Sequence, residues 1–391
     1  MKRILPVLTL FLGLGVGATA EARPFDGNTV YVMTNSTAGN SIAVLKRDDG
    51  GALSLSGTYL TGGLGPGPGI APATFDPLAA SDSVAMTEDQ RFVLAVNAAS
   101  NSLSVMTVVG DTLRPASITS SGGQYPVSIA QRGNLVYVLN ASGESNVTAF
   151  RMSPFGRLLP IPNSTRSLNH ITPIVGGQAD GARSPSGVKF SPDGNWLAIS
   201  IKNIDGLGEV QVFRVLPNGT LSRKATVTPS RDPRPFAISF DHVGHLQVVE
   251  ANNAAVSTYE IQNDGSLKSL AVSVLNHQRV TCWVATTPRW TFVTSSPAHT
   301  MSSYRNDLET GGLTLSNDSG VIYDTGLTPA GANPFPADIK ASLDNRYLSV
   351  ISGGGGVVES FKINHETGGV TRINSVQVSQ PFTGLQGIIA N

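Results

Sequence analysis

The stretch that decides the fold is Ser184–Val227, SPSGVKFSPDGNWLAISIKNIDGLGEVQVFRVLPNGTLSRKATV, which contains the patterns of four short β-strands. Val188 and Phe190 alternate with less apolar neighbours, as expected of a half-buried first strand. The next four residues, Ser191-Pro192-Asp193-Gly194, favour a tight turn, because proline fixes φ while aspartate and glycine tolerate the bend. The apolar run from Trp196 to Ile201 predicts a buried second strand.

Two further strands complete this unit. Val210, Val212 and Val215 predict the third strand, and Leu216-Pro217-Asn218-Gly219 predicts the turn after it. Leu221 to Val227 is predicted as the fourth strand. A sheet of four short antiparallel strands cannot bury both of its faces alone, so the unit is expected to stack against copies of itself.

The same unit recurs along the whole chain. Seven glycine-containing turns recur at intervals of roughly 45 to 60 residues, a spacing in the range of propeller blades. An apolar residue opens a strand soon after each turn: Leu53, Leu113, Leu158, Leu221, Leu267, Leu313 and Val370. Six units also begin with an apolar first strand, opened by Val84, Ile129, Val188, Ile238, Trp283 and Ile339.

The first unit, around Thr29–Thr34, has no such strand on its N-terminal side. The C-terminal residues Gln386–Asn391 resemble the missing strand. Pairing of the tail with the first unit would close the ring and protect sheet edges that could otherwise bind other chains. The sequence therefore predicts an all-β fold, a seven-bladed β-propeller closed by its C-terminal strand.

One long connection interrupts the repeat. Gly62–Ala80, GGLGPGPGIAPATFDPLAA, is rich in glycine and proline and has no strand pattern. We predict a long surface loop, with a linker between domains as the alternative.

Composition excludes several classes of function. The 391 residues include 42 glycines and 24 prolines, which disfavour long helices, and only 14% are charged. Formal net charge is zero, with no basic stretch of the kind that binds nucleic acid. The single cysteine, Cys282, excludes an internal disulfide and a cysteine-based zinc cluster. No cofactor-binding or metal-ligand motif is present, so no cofactor and no metal are expected.

The N-terminus has the pattern of a secretory signal peptide. Lys2 and Arg3 precede an apolar run from Ile4 to Val16, and Ala20-Glu21-Ala22 offers a cleavage site. We therefore predict a signal peptide over residues 1–22 and one propeller domain over 23–391. The mature protein is expected to be secreted or periplasmic, free of the membrane and monomeric, since a closed ring needs no partner to fold.

Polar residues end several of the second strands, at matching positions in different units: Asn97, Asn140, Lys202, Glu250 and Ser295. If the blades are equivalent, these side chains approach one mouth of the central channel. A carboxylate, an ammonium group and amides at that mouth could polarise a carbonyl group and activate water. The alternative is structural, with asparagines capping strand ends and Lys202 paired with Glu250.

These residues and Arg234, which enters the fifth blade between Pro233 and Pro235, form the candidate site, and Glu250, Arg234 and Lys202 are its predicted catalytic set. Glu250 would act as a general base or orient water, while Arg234 and Lys202 would hold a carboxylate or an oxyanion. Asn97, Asn140 and Ser295 would bind the substrate.

The repeat resembles the seven-bladed lactonase propellers named for 6-phosphogluconolactonase and the fungal carboxymuconate cyclases. The segments SPDGNWLAIS, TPRWTFVTSS and SLDNRYLSVIS resemble the Ser-Pro-Asp-Gly-Arg-aromatic strands of that family, and QYPVSIAQRGNLVYVLNA, PFAISFDHVGHLQVVEA and TGLQGIIA extend the similarity. It covers the chain from about Thr29 to its end. The resemblance implies hydrolysis of a lactone ring, or its reverse, without a metal, and a small lactone or carboxylate as ligand.

The chain departs from the pattern of the enzymatic members of this family at two blade entries. Those members tend to carry histidines there, where this chain has Arg183-Ser184-Pro185-Ser186-Gly187 and Arg234-Pro235-Phe236. The sequence thus leaves two hypotheses open. One is an exported lactonase-like enzyme, and the other is a non-catalytic secreted propeller that binds a ligand, a glycan or a protein.

Overall fold

The computed structural model describes residues 28–71, 73–327 and 333–391. Seven antiparallel sheets form the blades of a propeller around a central channel, so the predicted all-β seven-bladed fold is confirmed. The predicted signal peptide lies outside the described residues. Within the described ranges, no helix is both long enough and apolar enough to cross a bilayer.

The blades follow chain order, and the strands of the first three are these: β1 (Thr29–Met33), β2 (Ser41–Arg47), β3 (Leu53–Leu60); β4 (Val84–Met86), β5 (Phe92–Asn97), β6 (Ser102–Val109), β7 (Thr112–Ser120); β8 (Gln124–Arg132), β9 (Leu135–Met152), β10 (Leu158–Pro160), β11 (Arg166–Thr172). A two-stranded ribbon follows, made of β12 (Ile174–Val175) and β13 (Gln178–Ala179).

The remaining strands form blades four to seven: β14 (Pro185–Phe190), β15 (Trp196–Ile201), β16 (Glu209–Arg214), β17 (Thr226–Pro229); β18 (Pro235–Phe240), β19 (Leu246–Glu250), β20 (Ala255–Ile261), β21 (Leu267–Leu275); β22 (Thr281–Thr286), β23 (Trp290–Ser295), β24 (Thr300–Asn306), β25 (Leu313–Leu315), β26 (Tyr323–Asp324); β27 (Pro336–Ala341), β28 (Tyr347–Ser352), β29 (Val357–Ile363), β30 (Val370–Gln377). The last strand is β31 (Ile388–Ala390). Two short 3-10 turns, Ala98–Ser100 and Ser296–Ala298, follow β5 and β23.

The fourth blade shows how the local sequence builds each sheet. The Ser191 hydroxyl accepts the main-chain N–H of Trp196 at 3.0 Å and donates to Asp193, which fixes the predicted turn. The predicted second strand is confirmed as β15. The predicted fourth strand is wrong over its first half, where Leu221 makes only an isolated bridge to Val215. Arg166 of the third blade binds the carbonyl oxygens of residues 221 and 222, so these groups cannot join a regular ladder.

The C-terminal strand closes the ring as predicted. β31 pairs antiparallel with β1, with Tyr31 opposite Ile389 and Val32 opposite Ile388. The Arg47 guanidinium also donates to the carbonyl oxygen of Asn391 at 2.8 Å. The first blade is therefore built from both ends of the described chain, and every blade presents an inner strand to the channel.

Apolar side chains between neighbouring blades form the core. One buried cluster joins blades one to four, and a second joins the later blades to the first. Within each blade, the inner strand starts and the second strand ends at the same face of the ring, as Pro235 opposite Glu250 shows in blade five. We call this the upper face; the turns between the first and second strands form the lower face.

Candidate active site at the channel mouth

The connection between blades one and two, Gly62–Ala80, covers the upper mouth of the channel, and we call it the strap. Its prediction as a surface loop is wrong for its second half, because Phe75, Leu78 and Ala80 are buried. Phe75 stacks on Phe335 with ring centroids 4.2 Å apart and meets Trp283 edge-on at 6.4 Å. Apolar contact with distant blades therefore draws this glycine- and proline-rich segment inward.

Hydrogen bonds from several blades fix the carbonyl groups of the strap. Ala80 accepts from the Trp283 indole at 3.1 Å and from the Gln386 amide at 2.7 Å. Pro77 accepts from the Tyr125 hydroxyl at 2.7 Å. These donors come from blades three and six and from the closing tail. The strap is thus held to a ring that must be fully assembled before all its partners are in place.

A cleft of about 670 Å³ opens beside the strap on the upper face. Its aromatic walls are Phe75, Phe236 and Phe335, and its polar lining includes Asp76, Lys202 and Arg234. This volume lies in the range of about 300–1,000 Å³ that holds small-molecule ligands. A few polar groups set among apolar walls are the usual composition of such sites.

Lys202 lies at the base of this cleft and is fully buried. Its ammonium group donates to the carbonyl oxygen of Ala79 and lies 4.6 Å from the centroid of the Phe236 ring. Burial lowers the pKa of Lys202 to about 8, and the charge of Asp76 opposes that shift. An ammonium group has three donor hydrogens, so one carbonyl partner leaves donor capacity for a ligand.

Asp76 is the second charged group of the cleft. Its Oδ1 accepts the main-chain N–H of Ala79 at 2.9 Å. Burial raises the pKa of Asp76 to about 7, while the Lys202 ammonium acts in the opposite direction. A carboxyl group that titrates near neutral pH suits general acid–base chemistry.

Arg234 lines the cleft from the entry to the fifth blade. Its main-chain N–H donates to Asp232 at 2.6 Å, and its Nε donates to the side chain of Asn252 at 2.5 Å. The buried Asp232 also accepts the N–H of Asn253 at 2.6 Å. The Asp232 carboxylate therefore binds the backbone at Arg234 and at Asn253. These bonds fix the position from which the Arg234 guanidinium faces the cleft.

Glu250 does not line this cleft. Its two carboxylate oxygens accept from the hydroxyl groups of Ser257 at 2.6 Å and Ser273 at 2.5 Å. The side chain therefore lies within blade five, against its third and fourth strands. The structure brings together Lys202 and Arg234 of the predicted catalytic set but leaves Glu250 apart, and no ion pair joins Lys202 to Glu250 among the described residues.

The three predicted substrate-binding residues are fully buried at strand ends, outside the cleft. Asn97 donates to Ser104 at 2.8 Å and accepts from Thr61 at 2.8 Å. Asn140 donates to Asn146 at 3.0 Å. These bonds, like the 2.7 Å contact of the Ser295 hydroxyl with Thr281, tie neighbouring strands and loops together, as in the capping alternative.

Sequence reasoning missed Asp76. A signal for it exists, because Asp76 is the single charged residue in the 19 residues of Gly62–Ala80. The prediction of a surface loop assigns no function to this carboxylate. No group of three or more potential metal ligands occurs in the ranges that the structure describes.

Comparison with known proteins agrees with the fold. Residues 162–285 match the family model "Lactonase, 7-bladed beta-propeller". This match confirms the resemblance to that family, which the sequence motifs indicated. No curated protein sequence matches the chain.

Solved structures with the same fold come from several bacteria. A candidate 6-phosphogluconolactonase from Bacteroides fragilis is 19% identical, with a TM-score of 0.69 over 93% of this chain and 98% of that one. The periplasmic gluconolactonase of Pseudomonas aeruginosa is 17% identical, with a TM-score of 0.69 over 93% and 99% of the two chains. At these identities, the structural matches show the fold alone.

Proposed function

We propose that this propeller, whose residues 162–285 match the lactonase family, is an exported enzyme that hydrolyses a lactone in the cleft beside the strap. The observation that carries the proposal is the convergence of Asp76, Lys202 and Arg234 on one cleft with aromatic walls. The family match supports lactone chemistry, and the signal-like N-terminus supports export.

Each polar group has a role that its environment supports. Asp76 would accept a proton from the attacking water, since its pKa near 7 leaves much of it ionised at neutral pH. Lys202 and Arg234 would stabilise the negative charge that develops on the carbonyl oxygen. The acyl C–O bond of the ring then breaks, and the proton passes to the ring oxygen to give a hydroxy acid.

The cleft walls favour one class of lactone. Phe75, Phe236 and Phe335 offer aromatic surface, and Ile70 and Val175 line the cleft as well. Contact with such walls favours an alkyl or aryl substituent, since burial of apolar surface stabilises the complex. We therefore expect lactones with apolar substituents to react faster than polyhydroxylated sugar lactones.

The test is a hydrolysis assay over a panel of alkyl-, aryl- and sugar-derived lactones, with wild type and four variants, at Asp76, Lys202, Glu250 and Glu260. Asp76→Asn and Lys202→Met should each lower kcat/KM by about 100-fold or more, the usual effect of removing a general base or an oxyanion donor. The control is Glu260→Gln, which removes an exposed carboxylate that pairs with Lys268 on the outside of blade five.

Two results would oppose the proposal. A loss of activity with Glu250→Gln at unchanged stability, with Asp76→Asn fully active, would move the chemistry to Glu250. A panel without any turnover, from a folded protein that still binds lactones or hydroxy acids through Arg234, would support the binding-module hypothesis instead.

A further inference from the structure

A second cavity lies at the opposite end of the channel from the cleft. Its volume is about 340 Å³, and we call it the lower cavity. Turns between the first and second strands surround its mouth. The inner strands supply its apolar wall: Val84, Met86, Ile129, Val188, Phe190 and Ile389. Glu88, Gln131, Arg132 and Ser191 line the cavity as well. No residue lines both this cavity and the cleft.

Two lysines converge at the inner end of the lower cavity. The ammonium groups of Lys189 in blade four and Lys340 in blade seven both donate to Oδ1 of Asp82, at 2.9 Å and 2.6 Å. Their side chains stay 32% and 19% exposed, and both residues line the cavity. One carboxylate oxygen thus serves two cations that both face open space.

Asp338 also acts on these lysines electrostatically, but it forms no ion pair with either of them among the described residues. Asp338 is buried, and its Oδ2 has no hydrogen-bond partner among the described residues. Burial raises the pKa of Asp338 to about 7, with Lys340 acting in the opposite direction. Burial alone would raise the pKa of Asp82 too, but its two lysine partners hold it well below its ordinary value.

We propose that the lower cavity binds a small organic carboxylate, whose charged group lies between Lys189 and Lys340 and whose apolar body contacts the cavity wall. Three basic side chains line the cavity, Arg132 as well as the two lysines, against the two carboxylates of Asp82 and Glu88, and this excess of one positive charge matches a monoanion. A structural ion pair alone would not need an open cavity of ligand size with its cations exposed to that space. The proposal does not depend on activity in the upper cleft.

The lower cavity also favours a carboxylate over inorganic phosphate. Apolar side chains line one part of the cavity, and its volume lies near the lower limit of about 300 Å³ for small-molecule pockets. A carboxylate joined to a hydrocarbon body satisfies both parts of the site, whereas phosphate would leave the wall without a contact. Phosphate binding with equal affinity would indicate an adventitious anion site.

The experiment uses the full chain and benzoate as the probe, with benzamide as a neutral analogue of the same shape. Calorimetric titration should give one benzoate per chain at the lower cavity and at least tenfold weaker binding of benzamide. Lys189→Met should lower benzoate affinity at least tenfold. Asp82→Asn should raise it, because the competing carboxylate is removed while both ammonium groups remain. A purely structural role for Asp82, Lys189 and Lys340 does not predict that one variant lowers benzoate affinity and the other raises it.

Two further variants locate benzoate at one end of the channel. Arg234→Gln alters the upper cleft and should leave benzoate binding at the lower cavity unchanged. Ala85→Phe places a larger side chain in the lower cavity, leaves Asp82, Lys189 and Lys340 unsubstituted and should abolish that binding, which keeps the test valid if Lys189→Met does not fold. Benzoate affinity that is unaffected by both Asp82→Asn and Ala85→Phe would overturn the proposal.

Discussion

Closure of the ring depends on very few residues, and Ile388→Ala tests how much stability they supply. β31 contains only three residues, and further main-chain hydrogen bonds join Gln386 and Gly387 to Met33 and Asn391 to Thr29. Ile388 is fully buried and belongs to the apolar cluster that includes Val32 and Ile339. Shortening Ile388 therefore leaves a cavity where blades one and seven meet.

The expected cost follows from this burial. Replacing a fully buried isoleucine by alanine lowers the free energy of unfolding by about 2–5 kcal/mol, and the rigid neighbours on both sides favour the upper half of that range. The matched control is Ile389→Ala, one residue along the same strand. Ile389 points into the channel and is only partly buried, so its truncation should cost about 1 kcal/mol.

The assay is equilibrium unfolding in urea, followed by tryptophan fluorescence, for wild type and both variants. A loss of less than about 1 kcal/mol for Ile388→Ala, or equal losses for the two variants, would refute the reasoning. Either result would mean that blade one is stable without its closing strand, and that the tail contributes little to holding the ring together.

Three further predictions concern the strap. Between about pH 4 and pH 7 the folded protein holds a proton on Asp76 that the unfolded chain releases, so the free energy of unfolding should fall as pH rises. Asp76→Asn should make this fall smaller, as measured by urea unfolding at several pH values. Trp283→Phe removes the indole bond to Ala80 and should cost about 1–3 kcal/mol in thermal or urea unfolding. In Gly65→Ala, the new Cβ would clash with the main-chain carbonyl group of Asn35, which should cost about 1–3 kcal/mol. Gly355 has no positive φ and its added Cβ would meet Val357 at an ordinary 3.5 Å, so Gly355→Ala should cost less in the same assay.

Strand positions and turns could be predicted because their signals are local. Alternation of apolar residues has a period of two in any half-buried strand, and the turn at Ser191–Gly194 depends on the chemistry of its own four residues. The predicted fourth strand of blade four begins at Leu221, earlier than the observed β17, because a long-range contact affects where this strand begins. Arg166 donates to the carbonyl oxygens of Leu221 and Ser222, and nothing near Leu221 in the sequence indicates that contact.

The candidate site could be predicted only in part. The end of a second strand places Lys202 at the channel mouth, the entry to the fifth blade places Arg234 there, and the two do line one cleft. The same rule grouped Glu250 with them, although its side chain turns toward Ser257 within its own blade. Equivalent backbone positions fix where the Cα atom of a residue lies. The neighbours of each side chain decide where its charged group lies.

By itself, the sequence determined the repeat, the number of blades and the pairing of Ile388 and Ile389 with the first strand. Those features depend on patterns within a single unit and on counting units. Only the tertiary structure decided that Asp76 joins Lys202, and that Lys189 and Lys340 meet at Asp82. These contacts join residues far apart in the chain, and they form because the closed ring brings its strands and its strap around one channel.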